Sequence, residues 1–392
     1  MANDNDKMIT ITDPGEDRYA SLRLIDWWDQ DRIRGAHIMV VGAGALGNEV
    51  LKNLALLGVG HLFIVDFDFI EASNLTRSVL FRTKDGGKPK ATTAAERVKE
   101  INEDIQVIAL HGDVTRELGI GVYRRMDVII GCLDNRAARL AVNRACWNIN
   151  RPWIDGALDA VNGLVRVFAP PDGACYECTF TEQDYQLMQT RYSCAPGFTV
   201  VAGRQPTMPT TASIIAAMQV QEAMKLLHGQ ETQSGRAVYY SWQALRLSSM
   251  AYALRHDCPA HLLYDPIISL SSGSNHLTLA QFAEHIRHYM QEDGVLFLPQ
   301  EVATWLYCAI CEQKEIVYRP QLDVIPDSLP CPVCGNSRAF DITGTLATAH
   351  MKEDISLEQL GIPPLHILPV RTRIGWQYFE LSADEQRLLH FR

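Results

Sequence analysis

The chain has none of the features that point to a membrane, a secretory pathway or a nucleic acid. No uncharged apolar run approaches the length needed to span a bilayer. Met1 to Asp6 are polar and acidic, without the apolar core of a signal peptide. Positive charge is scarce: 36 Lys and Arg stand against 46 Asp and Glu, a formal net charge of −10. That balance argues against holding a phosphate backbone. No internal repeat or long low-complexity tract occurs in the 392 residues. At 47% hydrophobic and 21% charged, the composition suits ordinary globular cores, and the length suits about two or three domains. A cytoplasmic enzyme is expected, with neither membrane nor nucleic acid as partner. Of the ten cysteines, six stand in C-x-x-C pairs with no sign of a secretory leader, so metal ligation is a better reading than disulfides.

What is present begins with Val40-Val-Gly-Ala-Gly-Ala-Leu-Gly47. Gly42, Gly44 and Gly47 form G-x-G-x-x-G between an apolar strand at 37–41 and a helix over about 48–57. This pattern brings backbone close to phosphate and aims a helix N-terminus at negative charge. Asp66, in Asp66-Phe-Asp68, ends the next strand, where an acid holds a ribose hydroxyl. Ser73-Asn-Leu-Thr-Arg77 follows, and Asn74 with Arg77 suits a polyphosphate under attack better than a nicotinamide. Lys90 opens a helix that runs to about Glu100 and offers a mobile cation. Asp134, next to Asn135, ends the apolar run Val128-Ile-Ile-Gly-Cys-Leu and is placed to hold Mg²⁺. Each has a plainer explanation: a lysine is usually solvated surface, and Asp-Asn commonly makes a turn.

Strands expected near 37–41, 61–66, 105–110, 127–131 and 153–157 alternate with helices, the mark of an α/β, doubly wound, Rossmann-like, mostly parallel sheet. Gly163 to Ala169 reads as an antiparallel addition. Residues 1–15 read as a disordered tail, and Glu16 to Ile33 carries a helical pattern with the pair Trp27-Trp28. A helix capped by Thr210 or Thr211 runs to about His228, apolar on most sides. The first domain is expected to end near residue 263, followed by a linker at 264–275 and a zinc-containing α+β domain at 276–392. There, Cys308-Ala-Ile-Cys311 and Cys331-Pro-Val-Cys334 have the spacing of a four-thiolate structural zinc site.

The ordered set Gly-x-Gly-x-x-Gly, Asp-x-Asp, Ser-Asn-Leu-x-Arg, Pro-Lys-Ala and Asp-Asn resembles the adenylation domain of the ubiquitin-activating enzyme superfamily, over roughly residues 15–262. That superfamily includes the sulfur-carrier adenylyltransferases of molybdopterin and thiamine synthesis. The resemblance implies that Asp66 binds ribose, that Asn74, Arg77 and Lys90 contact phosphates, and that Asp134 binds the magnesium nucleotide. It implies ATP as co-substrate and the C-terminal carboxylate of a ubiquitin-like (β-grasp) protein as the group activated. In relatives two C-x-x-C pairs bind a further zinc. Here Cys175, Cys178, Cys258 and His261 occupy those places, giving two structural zinc sites in all.

Relatives also place a thioester-forming cysteine in a crossing loop, which implies Cys194 here, although some relatives stop at the adenylate. An arginine supplied across a homodimer would be Arg18 or Arg23, with Arg23 favoured. The run Ser356-Leu-Glu-Gln-Leu-Gly361 before two strands is similar to the ubiquitin-fold domain that recruits a conjugating enzyme in larger relatives; a plain zinc-stapled partner-binding module is the alternative. Three functional readings stand: an activating enzyme for a ubiquitin-like protein, a sulfur-carrier adenylyltransferase, and a non-catalytic subunit of a heteromeric enzyme.

Overall fold

The computed structural model describes residues 17–186, 207–324 and 329–391; the expected tail and Cys194 lie outside them. The strand β1 (His37–Val41) is nearly all buried and pairs in parallel with β2 (His61–Val65) and β4 (Val128–Gly131). Strands β3 (Gln106–Leu110) and β5 (Trp153–Asp159) extend this parallel core on its two sides. The antiparallel strands β6 (Asn162–Phe168), β7 (Arg236–Ser241) and β8 (Arg246–Ala251) complete a sheet of order β3-β2-β1-β4-β5-β6-β7-β8. Residues buried on both faces explain the unbroken apolar runs of the parallel strands. β8 is an edge strand whose residues are all exposed, Leu247 and Met250 among them.

Helices cover both faces, as the doubly wound reading requires. One apolar cluster joins α1 (Gln30–Gly35), α2 (Ala45–Leu57), α3 (Lys90–Ile101) and α6 (Pro209–Leu227) to the sheet. The other joins α4 (Ile120–Arg124) and α5 (Arg136–Asn148) to the opposite face. No helix among the described residues is long and apolar enough to cross a membrane.

Three local expectations change. The helical pattern of 16–33 forms only a 3₁₀ turn at Leu22–Leu24, with no buried residue, before α1 starts at its Asp29 cap. The Trp27-Trp28 pair instead packs on His228 at the end of α6. Helix α6 is capped by Met208 with Pro209 in its first turn, as proline's fixed φ favours. Thr211 is buried and donates to the Val161 carbonyl instead of capping. The segment expected as a linker at 264–275 contains a strand, β9 (Ile267–Leu270), which pairs in parallel with β14 (Gly375–Leu381). Its isoleucines supply apolar surface to the second sheet, which the serine-rich stretch after it obscured.

That second sheet has the order β11-β10-β13-β14-β9, with β12 also on β10. Here β10 is Val295–Tyr307, β11 Lys314–Pro320, β12 Ala339–Ala347 and β13 Ile367–Thr372. Helix α7 (Leu279–Met290), capped by Thr278, packs Phe282 and Ile286 into its core. Leu357 and Leu360 of the Ser-Leu-x-x-Leu-Gly run lie in the same core.

The two units are tightly joined. Gly121 donates to the Leu365 carbonyl at 2.9 Å, and a Cβ at Gly119 would stand 2.2 Å from the Pro364 carbonyl oxygen. Leu365, Ile367 and Tyr378 share the apolar cluster of α4 and α5. Arg124 and Arg125 both pair with Glu380, whose side chain is almost wholly buried. Removing one partner of such a pair strands buried charge. Glu380→Ala is therefore expected to lower unfolding free energy by about 3 kcal/mol, read as a shift in the urea midpoint. A change within error would mean that this ion pair does not hold the units together.

Candidate active site and metal centres

The crevice lies over the carboxyl ends of β1, β2 and β4, and its shape depends on glycine. Gly42 has φ +95°, and a Cβ there would meet the Cys132 carbonyl oxygen at 2.4 Å. A Cβ at Gly47 would meet the Gly42 carbonyl oxygen at 1.9 Å. These two residues press the turn against the end of β4. Gly44, the N-cap of α2, has nothing within 4 Å of a Cβ position, so it leaves bare backbone facing the crevice. That is the surface a phosphate needs at a helix N-terminus.

Asp66 stands at the end of β2. Its carboxylate accepts from the backbone N–H of Ala43 at 2.6 Å and of Asp68 at 2.7 Å. Burial pushes its pKa up, and the Ala43 hydrogen bond and Lys90 oppose that. Lys90, largely buried at the start of α3, places Nζ 2.6 Å from Asp68 Oδ2. Asn74 ends a short 3₁₀ turn and accepts from the Glu71 N–H at 3.0 Å, while Arg77 donates to the Ser73 carbonyl at 3.0 Å. Asp134 is exposed at the end of β4, and Asn135 caps α5 by accepting from the Ala138 N–H at 2.8 Å. Asp66, Asp68 and Lys90 are thus in direct contact, with the glycine turn on one side. Asp134 lies two residues beyond the Cys132 carbonyl against which that turn packs.

Two sets of supporting residues escaped the reading of the sequence. Asn48 is fully buried and donates to the carbonyls of Ala43 and Gly44, while its oxygen accepts from the Leu80 N–H at 2.9 Å. It thereby ties the segment after Arg77 to the glycine turn. Its signal was its position directly after the third glycine. Arg139 donates to Asp155 at 2.9 Å and to the carbonyl of Leu133, fixing the residue before Asp134 to β5. Arg166 also pairs with Asp155. Nothing in spacing announced that pairing, because the partners meet only through the sheet.

Arg18 donates to Asn102 and to the Ile101 carbonyl, at the end of α3 opposite Lys90. A 12-residue helix is about 18 Å long, so Arg18 is far from the crevice of its own chain. Arg23 is exposed and paired with Asp17.

The metal sets assemble as expected. Sγ of Cys175 lies 3.6 Å from that of Cys258 and 3.8 Å from that of Cys178, and Cys178 Sγ lies 3.5 Å from His261 Nε2. Cys308 and Cys334 approach to 3.5 Å, as do Cys311 and Cys331. In each set the four donor atoms lie within 4.8 Å of one another. Zinc bound tetrahedrally by thiolates sets its sulfurs roughly 3.8 Å apart, so both donor sets fit that ion. His261 stacks on Trp147 at 4.4 Å, which fixes its ring.

Purified protein is expected to hold about two zinc ions per chain, and His261→Ala about one, as read by elemental analysis; a single ion in the unaltered protein would remove one set. Gly44→Ala should leave stability within about 0.5 kcal/mol yet weaken nucleotide binding at least tenfold. Gly47→Ala should destabilise by several kcal/mol, roughly the scale of backbone overpacking. Similar effects of the two substitutions in denaturation would contradict the roles drawn from the geometry.

Comparison with known proteins agrees with this architecture. Residues 16–260 match the ThiF family. The sulfur carrier protein ThiS adenylyltransferase of Escherichia coli K12 is 30% identical over 231 residues, 59% of this chain and 87% of its own length. The SAMP-activating enzyme E1 of Haloferax volcanii is 32% identical over 247 residues, 62% of this chain and 87% of its own. A crystal structure of E. coli MccB with ATP superposes with a TM-score of 0.53 at 20% identity, covering 63% of this chain and 74% of that one, a likeness of fold. With its glycine turn, Asp66 and Asp134 set on adjoining strand ends, the chain belongs to the ThiF family, within the ubiquitin-activating enzyme superfamily.

Proposed function

We propose that this chain uses ATP to activate the C-terminal carboxylate of a ubiquitin-like protein. The observation that carries the reading is the contact of Lys90 with Asp68, beside Asp66 and the open Gly44 backbone. A cation parked on a carboxylate at a helix N-terminus is placed to move onto a triphosphate. Asp66 would hold the ribose, while Asn74, Arg77 and Lys90 would neutralise the phosphates. Asp134 and Asn135 would hold Mg²⁺ and orient the incoming tail. The bound metal would screen repulsion between carboxylate and phosphates. The tail carboxylate oxygen attacks the α-phosphorus, a P–O bond to it forms, and the bond to the departing pyrophosphate breaks. Positioning and charge neutralisation then supply the catalysis.

A thioester stage follows in this proposal. The Cys194 sulfur attacks the acyl carbon of the adenylate, AMP leaves, and the acyl group passes to a conjugating enzyme. A partner-binding role for the C-terminal unit belongs to the same proposal. The second reading stops at the adenylate and hands it to a sulfur donor, and the relative named as a sulfur carrier adenylyltransferase favours it. Retention of Arg77, Lys90 and Asp134 opposes a non-catalytic subunit. A homodimer would bring Arg23 to the partner's crevice, since Arg18 is engaged at the far end of α3.

Exchange of labelled pyrophosphate into ATP should require the carrier protein, and Asp134→Ala should slow it by about 100-fold or more; undiminished exchange would remove Asp134 from the site. Cys194→Ala should retain exchange and lose a thiol-labile conjugate on gels. If that conjugate persists, the acceptor is elsewhere; if the unaltered protein forms none, the adenylate-only reading holds.

A further inference from the structure

A cavity of about 350 Å³ lies at the junction of α5, the segment before β9 and the second sheet. None of the residues proposed for the nucleotide lines it, and its volume is that of a small-ligand site. Phe297, Trp376 and Tyr264 supply flat apolar walls. Three polar residues in the lining are more than nine-tenths buried: Tyr123 at 1%, His366 at 6% and Asn148 at 8% exposure, the last with its amide engaged by the Arg144 and Leu262 carbonyls and the Tyr264 hydroxyl. Among the described residues the Tyr123 hydroxyl makes no hydrogen bond. His366 Nδ1 accepts from the Ile120 N–H at 3.4 Å, which leaves the ring proton on Nε2 as a donor. Burial pushes the His366 pKa down to about 4, so the ring is neutral near pH 7. Arg144, the one permanent charge in the lining, is matched by both oxygens of buried Glu177, at 2.8 and 2.6 Å.

The Tyr123 hydroxyl and the His366 Nε2–H thus have no protein partner among the described residues and are open to donate to a molecule in the cavity. Neither a cation nor an anion would find an uncompensated counter-charge here. We propose that this cavity binds a small, uncharged, planar molecule carrying a carbonyl-type hydrogen-bond acceptor, gripped between the adenylation domain and the C-terminal unit. The proposal is independent of which protein the nucleotide site activates.

Benzamide, benzoate and benzylamine share a ring and differ in charge, so they serve as probes in saturation-transfer NMR with the full chain. Benzamide should bind on the millimolar scale expected of so small a ligand, and the two charged probes at least tenfold more weakly. Ala141, half-buried in the lining on α5, gives the blocking variant: Ala141→Trp should abolish benzamide binding with zinc content unchanged. Tyr123→Phe removes a single oxygen and should weaken binding about threefold to tenfold, which keeps the test decisive should the tryptophan variant misfold. Equal binding of all three probes, no benzamide binding at tens of millimolar, or binding unchanged in Tyr123→Phe would overturn the proposal.

Discussion

The closeness of the β1–α2 turn to the end of β4 is the constraint on which the site depends. With no side chain at Gly42 or Gly47, the turn settles against the Cys132 carbonyl, and Ala43 comes within reach of Asp66. That single approach joins three neighbouring strand ends into one crevice. It lies where the strand order reverses, at β1, since β2 and β4 lie on opposite sides of it and their following helices on opposite faces. Asn48 then carries the constraint outward to the segment holding Arg77.

Four buried carboxylates in the molecule are answered by arginine. Asp85 meets Arg97, Asp155 meets Arg139 and Arg166, Glu177 meets Arg144, and Glu380 meets Arg124 and Arg125. Such pairs add little net stability beyond an apolar replacement, because desolvation offsets attraction. Their effect is geometric. Each joins two different elements at a fixed angle, through the planar fork of the guanidinium. Asp85 differs in serving a local turn as well, accepting from the Arg82 N–H at 3.0 Å.

The sheet of the first unit was legible because burial on both faces leaves apolar runs of the right length between helical patterns. The residues proposed for the nucleotide stood out as candidates because they fall in chain order near strand ends, and His261 because its place relative to Cys258 matched a C-x-x-C pair of the resembled family. Three kinds of feature were hidden. Long-range ion pairs such as Arg139 with Asp155 have no sequence spacing. β11 and β12 bury only Pro320 between them, so they carry no clean alternation. β9 is only four residues long and gains its strand character from β14, over a hundred positions away. The helical pattern of 16–33 misled for the converse reason: Leu22, Leu24 and Ile25 have the right periodicity but are not buried by any of the described residues.

Glu380 and Leu365 anchor the C-terminal unit on α4, and this governs traffic around the enzyme. The side of the sheet lined by α4 and α5 is roofed over, so no large macromolecule can lie flat along it. Under the proposed reaction, a protein delivering its tail to the crevice would have to come from elsewhere, and the edge at β8, where Leu247 and Met250 stand bare, offers it apolar surface.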